Sequence, residues 1–397
     1  MHRSNRSLSA FAFALTLVVI ASSASAQLVV IQTITDGIGG VDGIAGVRHI
    51  EMSPDGHHLY AAGNTDSAVA VFAIDPVSGL LIFEQALKDD TAGGTSDGLQ
   101  NARFLDVSPD GKNVYVASYN EFAASAFTRD LVDGTLTFLN KEAGPPSVGA
   151  FTSLNEVAVS PDGNNVYAVS NSYASVLARG PTGALTYLDS YLESADSFGQ
   201  GDALAISPDG QNVYIGDATF LEVTARDAGG GLTHVTQYEN NVGGIQGISG
   251  PETIALTADG LHLYVGTYTD SSIAHFTRDP ANGTLTFQNF YSDLDVCPDA
   301  NEIRVVENGA TLLVSCLKTL AIYERDVSTG ELLSVVAIPQ ENLGASEIYS
   351  SELNGNVLYV ASEGTNSILV LPEPDGAVAV AVGALAALAI TARRRTF

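Results

Sequence analysis

A set of polar side chains stands at matching places along this chain. Counting back seven residues from the aspartate, or its equivalent, of a recurring turn gives Arg48, Arg103, Asn155, Asp202, Glu252, Asn301 and Glu347. One position on adds His49, Glu156 and Glu302. These types could do chemistry on an activated carbonyl. Glu156 or Glu252 could orient or deprotonate water, and His49 could carry a proton. Arg48 and Arg103 could hold a developing oxyanion. A metal variant would group Asp202, Glu252 and Glu347 with Asn155 or Asn301, oxygen donors of the kind calcium takes. Such an ion could polarise a carbonyl. No EF-hand loop, calcium-binding nonapeptide, zinc motif, phosphate loop or nucleophile elbow occurs in the chain. The residues therefore imply no resident cofactor, with calcium as the one ion they could take.

The turn that sets this register is written repeatedly. "MSPDGHHLY" at 52–60 returns as "VSPDGKNVY", "VSPDGNNVY", "ISPDGQNVY" and "LTADGLHLY". Weaker copies follow as "VENGATLLV" and "ELNGNVLYV", making seven with a period near 50 residues. Each copy carries four runs rich in β-branched and aromatic residues, separated by Gly/Pro/Asp turns. That pattern predicts four antiparallel strands, A to D. In "SPDG" the proline presets φ and the glycine accepts positive φ, which suits a tight A–B hairpin. Seven such units predict an all-β chain, a seven-bladed β-propeller of four-stranded antiparallel blades. The seventh copy has no D run. "LVVIQTITDG" near the start resembles the D runs elsewhere, so residues 28–35 are expected to close the ring and hide an open edge.

The ends are different material. Residues 1–26 combine basic residues, an apolar run and "ASA", the form of a secretory signal. Residues 27–371 are the ring. Residues 372–397 carry Pro372–Glu373–Pro374, a run of small apolar residues and Arg393–Arg395. A helix of that length is marginal for crossing a bilayer, with the arginines cytoplasmic.

Seventeen basic side chains stand against 45 acidic ones, a net charge of −28. Such a surface repels phosphate backbones and excludes nucleic acid as a partner. A monomer that stays soluble outside the cytoplasm fits this charge. Cys297 and Cys316 fall at neighbouring strand ends of one blade, and export permits a disulfide. The sequence leaves open whether they are bridged.

The repeated turns and the C–D turns share one face of such a ring, and the D–A and B–C loops share the other. "SPDG" is therefore architecture. Arg129, Arg179, Arg226, Arg278 and Arg325 recur at the end of strand C and are expected to bridge blades. Arg48, Arg103 and Arg304 remain. Strand A is innermost, so the counted-back residues should ring the mouth of the central channel. That ring is positive in blades one and two and negative in four, five and seven.

The unit "SPDG–NVYV–F–RD–GTLT" resembles the lactonase-like seven-bladed propellers, the group that contains 6-phosphogluconolactonase, together with YVTN-type surface repeats. The resemblance covers residues 28–371. It implies a metal-free pocket at the propeller centre built from His, Arg and carboxylate groups, where "VRHIEMSPDG" puts Arg48 and His49. The last 26 residues resemble the PEP-CTERM sorting tail of Gram-negative bacteria. That resemblance implies processing by exosortase-type machinery and an exported or surface-held product, on the membrane through its tail until then. A phosphorylated lactone would want more cations than this mouth offers. The sequence alone favours a non-catalytic surface propeller that binds polysaccharide or an envelope protein. The alternative is an exported lactonase working at the channel mouth.

Overall fold

The computed structural model describes residues 29–372, apart from 90–96, 146–150, 152, 172, 192–202, 219, 293–295 and 307–308. Seven four-stranded sheets follow one another around a central channel. Blade one is typical: Val47–Met52 (A), His58–Gly63 (B), Ala68–Ile74 (C) and Leu81–Lys88 (D). Strand B of blade one is buried at all six positions, whereas strand D alternates toward solvent. That difference matches a sheet packed on both sides near the axis and half-solvated at the rim.

The last blade is composite. Gln32–Thr35 pairs antiparallel with Ser367–Pro372, so the order runs from the N-terminal strand inward to Ile348–Asn354. The first strand thus covers the edge that the missing seventh D strand would have left open. The expected signal, residues 1–26, and all but Pro372 of the expected sorting tail lie outside the described residues. Among the described residues no helix is long and apolar enough to cross a membrane.

The repeated nine residues staple the seams between blades. In six of the seven blades the tyrosine of strand B is fully buried, and its hydroxyl donates to a glycine carbonyl in the next blade's C–D turn; blade six has Leu313 at this place. Tyr60 reaches Gly134 at 2.9 Å and Tyr115 reaches Gly183 at 2.9 Å. The arginine ending the next strand C donates Nε to that same hydroxyl, as Arg129 does to Tyr60 at 2.7 Å. Its Nη2 reaches the aspartate of the neighbour's turn, as Arg129 does Asp55 at 2.8 Å. Arg179–Asp110, Arg226–Asp162 and Arg278–Asp209 repeat the bridge. Burial opposes the charge of Asp55, but Ser53 and Arg129 hold its carboxyl down at about 2. The SPDG aspartates and the five recurrent arginines are inter-blade fasteners, as their repetition predicts.

Candidate functional site

Strand A of six blades begins with the same irregularity. The pairing register of strands A and B slips by one residue at Val47/His49, Ala102/Phe104, Leu154/Glu156, Pro251/Thr253, Ala300/Glu302 and Ile348/Ser350. The bulged residues are Arg48, Arg103, Asn155, Glu252, Asn301 and Tyr349. A bulge re-aims one side chain out of the strand's alternation. All six line one pocket at the channel mouth. Two residues earlier the backbone is left-handed in each case, at Gly46, Asn101, Ser153, Gly250, Asp299 and Glu347. The turn into the strand and the bulge together set the aim.

Five of the seven counted-back residues therefore meet. Asp202 lies outside the described residues. Glu347 does not meet them: it is exposed, and its N–H donates to Gln340 Oε1 at 2.9 Å. Its place in the ring belongs to Tyr349. The final A–B turn is shorter than SPDG, with Asn354 paired directly to Val357. A fixed count of seven consequently overshoots the bulge by two. The metal grouping loses Glu347 for the same reason.

Arg48 and Arg103 are held in similar ways. Arg48 lies over the Tyr349 ring at 4.6 Å and pairs with Glu363 at 3.2 Å. Arg103 lies over Tyr119 at 4.1 Å and donates to Asn155 Oδ1 at 2.6 Å. Asn155 in turn donates to Asn171 at 3.1 Å, and Asn301 donates to the Ile348 carbonyl at 2.8 Å. Both arginines are thus pre-positioned, stacked on aromatic faces. Across the pocket stands Glu252. Burial raises its pKa, against the opposing pull of Arg103 and Arg48, and Asp299 raises it further. No hydrogen bond to another described residue holds its carboxylate.

The second counted position forms the floor. His49, Glu156 and Glu302 line the deeper part of the same cavity. Each ties its blade to the next through a backbone N–H. Leu105 N donates to His49 Nδ1 at 3.4 Å, Leu204 N to Glu156 Oε2 at 2.9 Å, and Ser351 N to Glu302 Oε2 at 2.9 Å. His49 is 3% exposed and stacks on Phe104 at 3.6 Å between centroids. Its Nδ1 accepts, so its proton sits on Nε2, facing Glu302 at 3.2 Å. Both nitrogens are thereby engaged in structure.

Below the floor the channel is closed by Arg304, the third arginine outside the fasteners. Its guanidinium reaches Glu51 at 2.7 Å, Glu302 at 2.7 Å and Glu352 at 3.0 Å, joining blades one, six and seven. Burial disfavours the charge on Glu302, but Arg304 and His49 bring its carboxyl down to about 2. Glu352 is pushed up to about 8, by burial and, despite Arg304, by the neighbouring Glu51 and Glu302. Asp106, also at this depth, is raised by burial and by Glu51.

Residues that the count did not find complete the mouth. Tyr119 and Tyr268 open the B–C loops "SYNEF" and "TYTDS", and Asp299, Asn171 and Leu317 join them. The signal was the loop composition, aromatic residues set among Asn, Asp and Ser on the face where the copies differ.

Two acidic groups lie on the same face, Asp36–Asp42–Asp66 and Asp89–Asp97–Glu121. Each already holds a lysine. Lys88 pairs with Asp42 at 2.6 Å and Asp66 at 3.0 Å, and Lys141 with Asp97 at 2.8 Å and Glu121 at 2.5 Å. Each ammonium group neutralises two of the three acids of its cluster, and the clusters brace loops.

A family model described as lactonase, 7-bladed beta-propeller, matches residues 15–152 and 204–343. Solved structures share the fold at low identity. The periplasmic gluconolactonase PpgL of Pseudomonas aeruginosa is 20% identical over 74% of this chain and 85% of that one, with a TM-score of 0.61. A putative 6-phosphogluconolactonase from Bacteroides fragilis is 24% identical over 74% and 84%, with a TM-score of 0.60. The Cps50 (Swd1) propeller domain of Myceliophteria thermophila is 15% identical over 85% and 99%, with a TM-score of 0.62. At these identities the likeness is one of fold. No curated protein matches the chain.

Proposed function

The chain belongs to the seven-bladed β-propeller lactonase family, and on that premise we propose that it opens a lactone ring by hydrolysis at the channel mouth. The observation that carries this reading is the half-buried carboxylate of Glu252, which bonds no other described residue and faces Arg48 and Arg103 across one pocket. Glu252 takes a proton from water as the oxygen attacks the lactone carbonyl carbon. Arg48 and Arg103 hold the resulting oxyanion. When the C–O ring bond breaks, the proton on Glu252 passes to the leaving ring oxygen, and a hydroxy acid results. Asn155 and Asn301 offer amides to ring hydroxyls. His49, Glu156 and Glu302 keep this constellation in place from below. This reading reverses the preference that composition alone suggested for a non-catalytic binder.

The charge balance selects the substrate. Arg48 is already paired with Glu363, and Glu252 and Asp299 occupy the opposite wall. A phosphate dianion would meet more negative than free positive charge, so the reading specifies an unphosphorylated, hydroxylated lactone. Export belongs to the same proposal: the signal-like residues 1–26 and the sorting-tail pattern at 372–397 support it. The Cys297–Cys316 bond fits an oxidising compartment.

The test is the ring opening of paired lactones by purified residues 27–371, followed as acid release. Turnover of the neutral sugar lactone above background, at least about tenfold faster in kcat/KM than its phosphorylated counterpart, is expected. No turnover of any lactone, with a polysaccharide retained by the same pocket, would return the chain to a binding module.

A further inference from the structure

The D–A loop that delivers each strand A to its bulge must be held still, and blades one, five and seven do this with side-chain hydrogen bonds from their own B–C side. In blade one, Asp66 of the B–C loop accepts Gly43 N and Ala45 N, both at 3.1 Å. In blade five, Asp270 accepts Ser249 N at 3.0 Å. In blade seven, Ser362 accepts Ser346 N at 2.9 Å and donates to the Ser346 carbonyl at 2.7 Å. Blade six has no room for such a device. Strand B ends at Cys316 and strand C begins at Thr319, leaving only Leu317 and Lys318 between. Neither can offer an acceptor from its side chain. Among the described residues one backbone bond remains between the D–A loop and the B–C turn, Leu317 N to the Asp299 carbonyl at 3.1 Å.

The disulfide stands where the missing acceptor would be. Cys297 and Cys316 are bridged and buried, at 5% and 0% exposure. Cys297 lies two residues before Asp299, which adopts the left-handed conformation (φ 57°), and four before the bulged Asn301. Cys316 immediately precedes Leu317. Asp299, Asn301 and Leu317 all line the pocket. We propose that the Cys297–Cys316 bond is a positioning device that fixes the sixth-blade wall of the channel-mouth pocket. It does covalently what Asp66, Asp270 and Ser362 do by hydrogen bonding. As a statement about catalysis the proposal rests on the lactonase reading; as a statement about the wall it does not.

Two readouts separate these. The variants Cys297→Ala and Cys297→Ala/Cys316→Ala are compared with the wild type by backbone hydrogen exchange and by lactone kinetics. Local opening of the wall should speed exchange at Asn301 and Leu317 by about tenfold or more and leave blades one to four unchanged. KM for the neutral lactone should rise about tenfold while kcat changes by less than about threefold, because Glu252, Arg48 and Arg103 stand on other blades. A bond with only a global structural role would instead loosen all blades together and leave KM unchanged. If the variants do not fold, the wild-type protein is reduced in its folded state by a dithiol. The dithiol is oxidised to its own disulfide as two protein thiols form, and alkylation counts them. Faster exchange confined to the wall supports the brace even in a protein that turns over no lactone. Unchanged exchange at Asn301 and Leu317 after the bond is gone overturns it.

Discussion

Replacing Arg304 with methionine is expected to destabilise the propeller by about 3–5 kcal/mol at neutral pH, the range for removing one partner of a buried ionic group. Methionine keeps the length and apolar stem but removes the charge that Glu51, Glu302 and Glu352 share. Three blades then present carboxyl groups to one another without that cation. The effect should depend on pH in a definite direction. In the wild type Glu302 is depressed to about 2, so its contribution is present above the ordinary carboxylate range and is lost only as pH falls toward 2. Without Arg304 the strongest pull on Glu302 is gone, and burial raises its carboxyl against only His49 and the Ser351 N–H. The variant then loses stability relative to the wild type as pH rises. Wild type and variant should therefore differ most above about pH 5 and converge on acidification. Thermal melts of the two proteins between pH 4 and pH 8 check this. A constant difference across that range would mean that Arg304 acts by packing alone.

Glu252→Gln is expected to lower kcat/KM for lactone hydrolysis by ~10²–10⁴-fold, the usual contribution of a general acid/base group. Glutamine keeps the shape of the wall and cannot take the proton from water. The fold should not suffer. Glu252 bonds no other described residue, and burial already works against its charge, so the variant should melt no lower than the wild type. The raised pKa also fixes the shape of the pH–rate profile. Activity should fall on the acid side at a higher pH than an exposed glutamate would give, and Glu252→Gln should remove that limb. Equal rates in both proteins would take the base role away from Glu252.

The architecture was legible because its instruction is repeated. One turn motif recurs, with a buried tyrosine at six seams and an arginine at five, and repetition separates architecture from function. Closure was legible from an absence in the seventh unit. The inner ring was legible in five positions, since a polar residue ahead of an apolar run marks the start of strand A. What defeated the count at Glu347 was a local change in turn length, which moves the bulge to Tyr349. The bulge itself has no sequence mark, so aim could not be separated from mere position. His49, Glu156 and Glu302 share the composition of catalytic groups, yet their acceptors face the backbone of the next blade. That distinction depends on the spacing between blades. Arg304 stood apart from the recurrent arginines in sequence, but its partners Glu51 and Glu352 come from blades at opposite ends of the chain. Only ring closure brings them together. Tyr119 and Tyr268 were signalled only by an aromatic residue within a polar loop, and what assigns them to the site is the guanidinium or the pocket beside them.

The most direct measurement is the structure of the protein with a lactam of a neutral sugar lactone, which has the ring and carbonyl of the substrate but resists opening. The account predicts the lactam in the channel mouth, its carbonyl oxygen within hydrogen-bond distance of Arg48 or Arg103. A water should lie between Glu252 and the carbonyl carbon. A lactam bound elsewhere on the propeller, or a carbonyl turned toward Glu252 and away from both arginines, would contradict it.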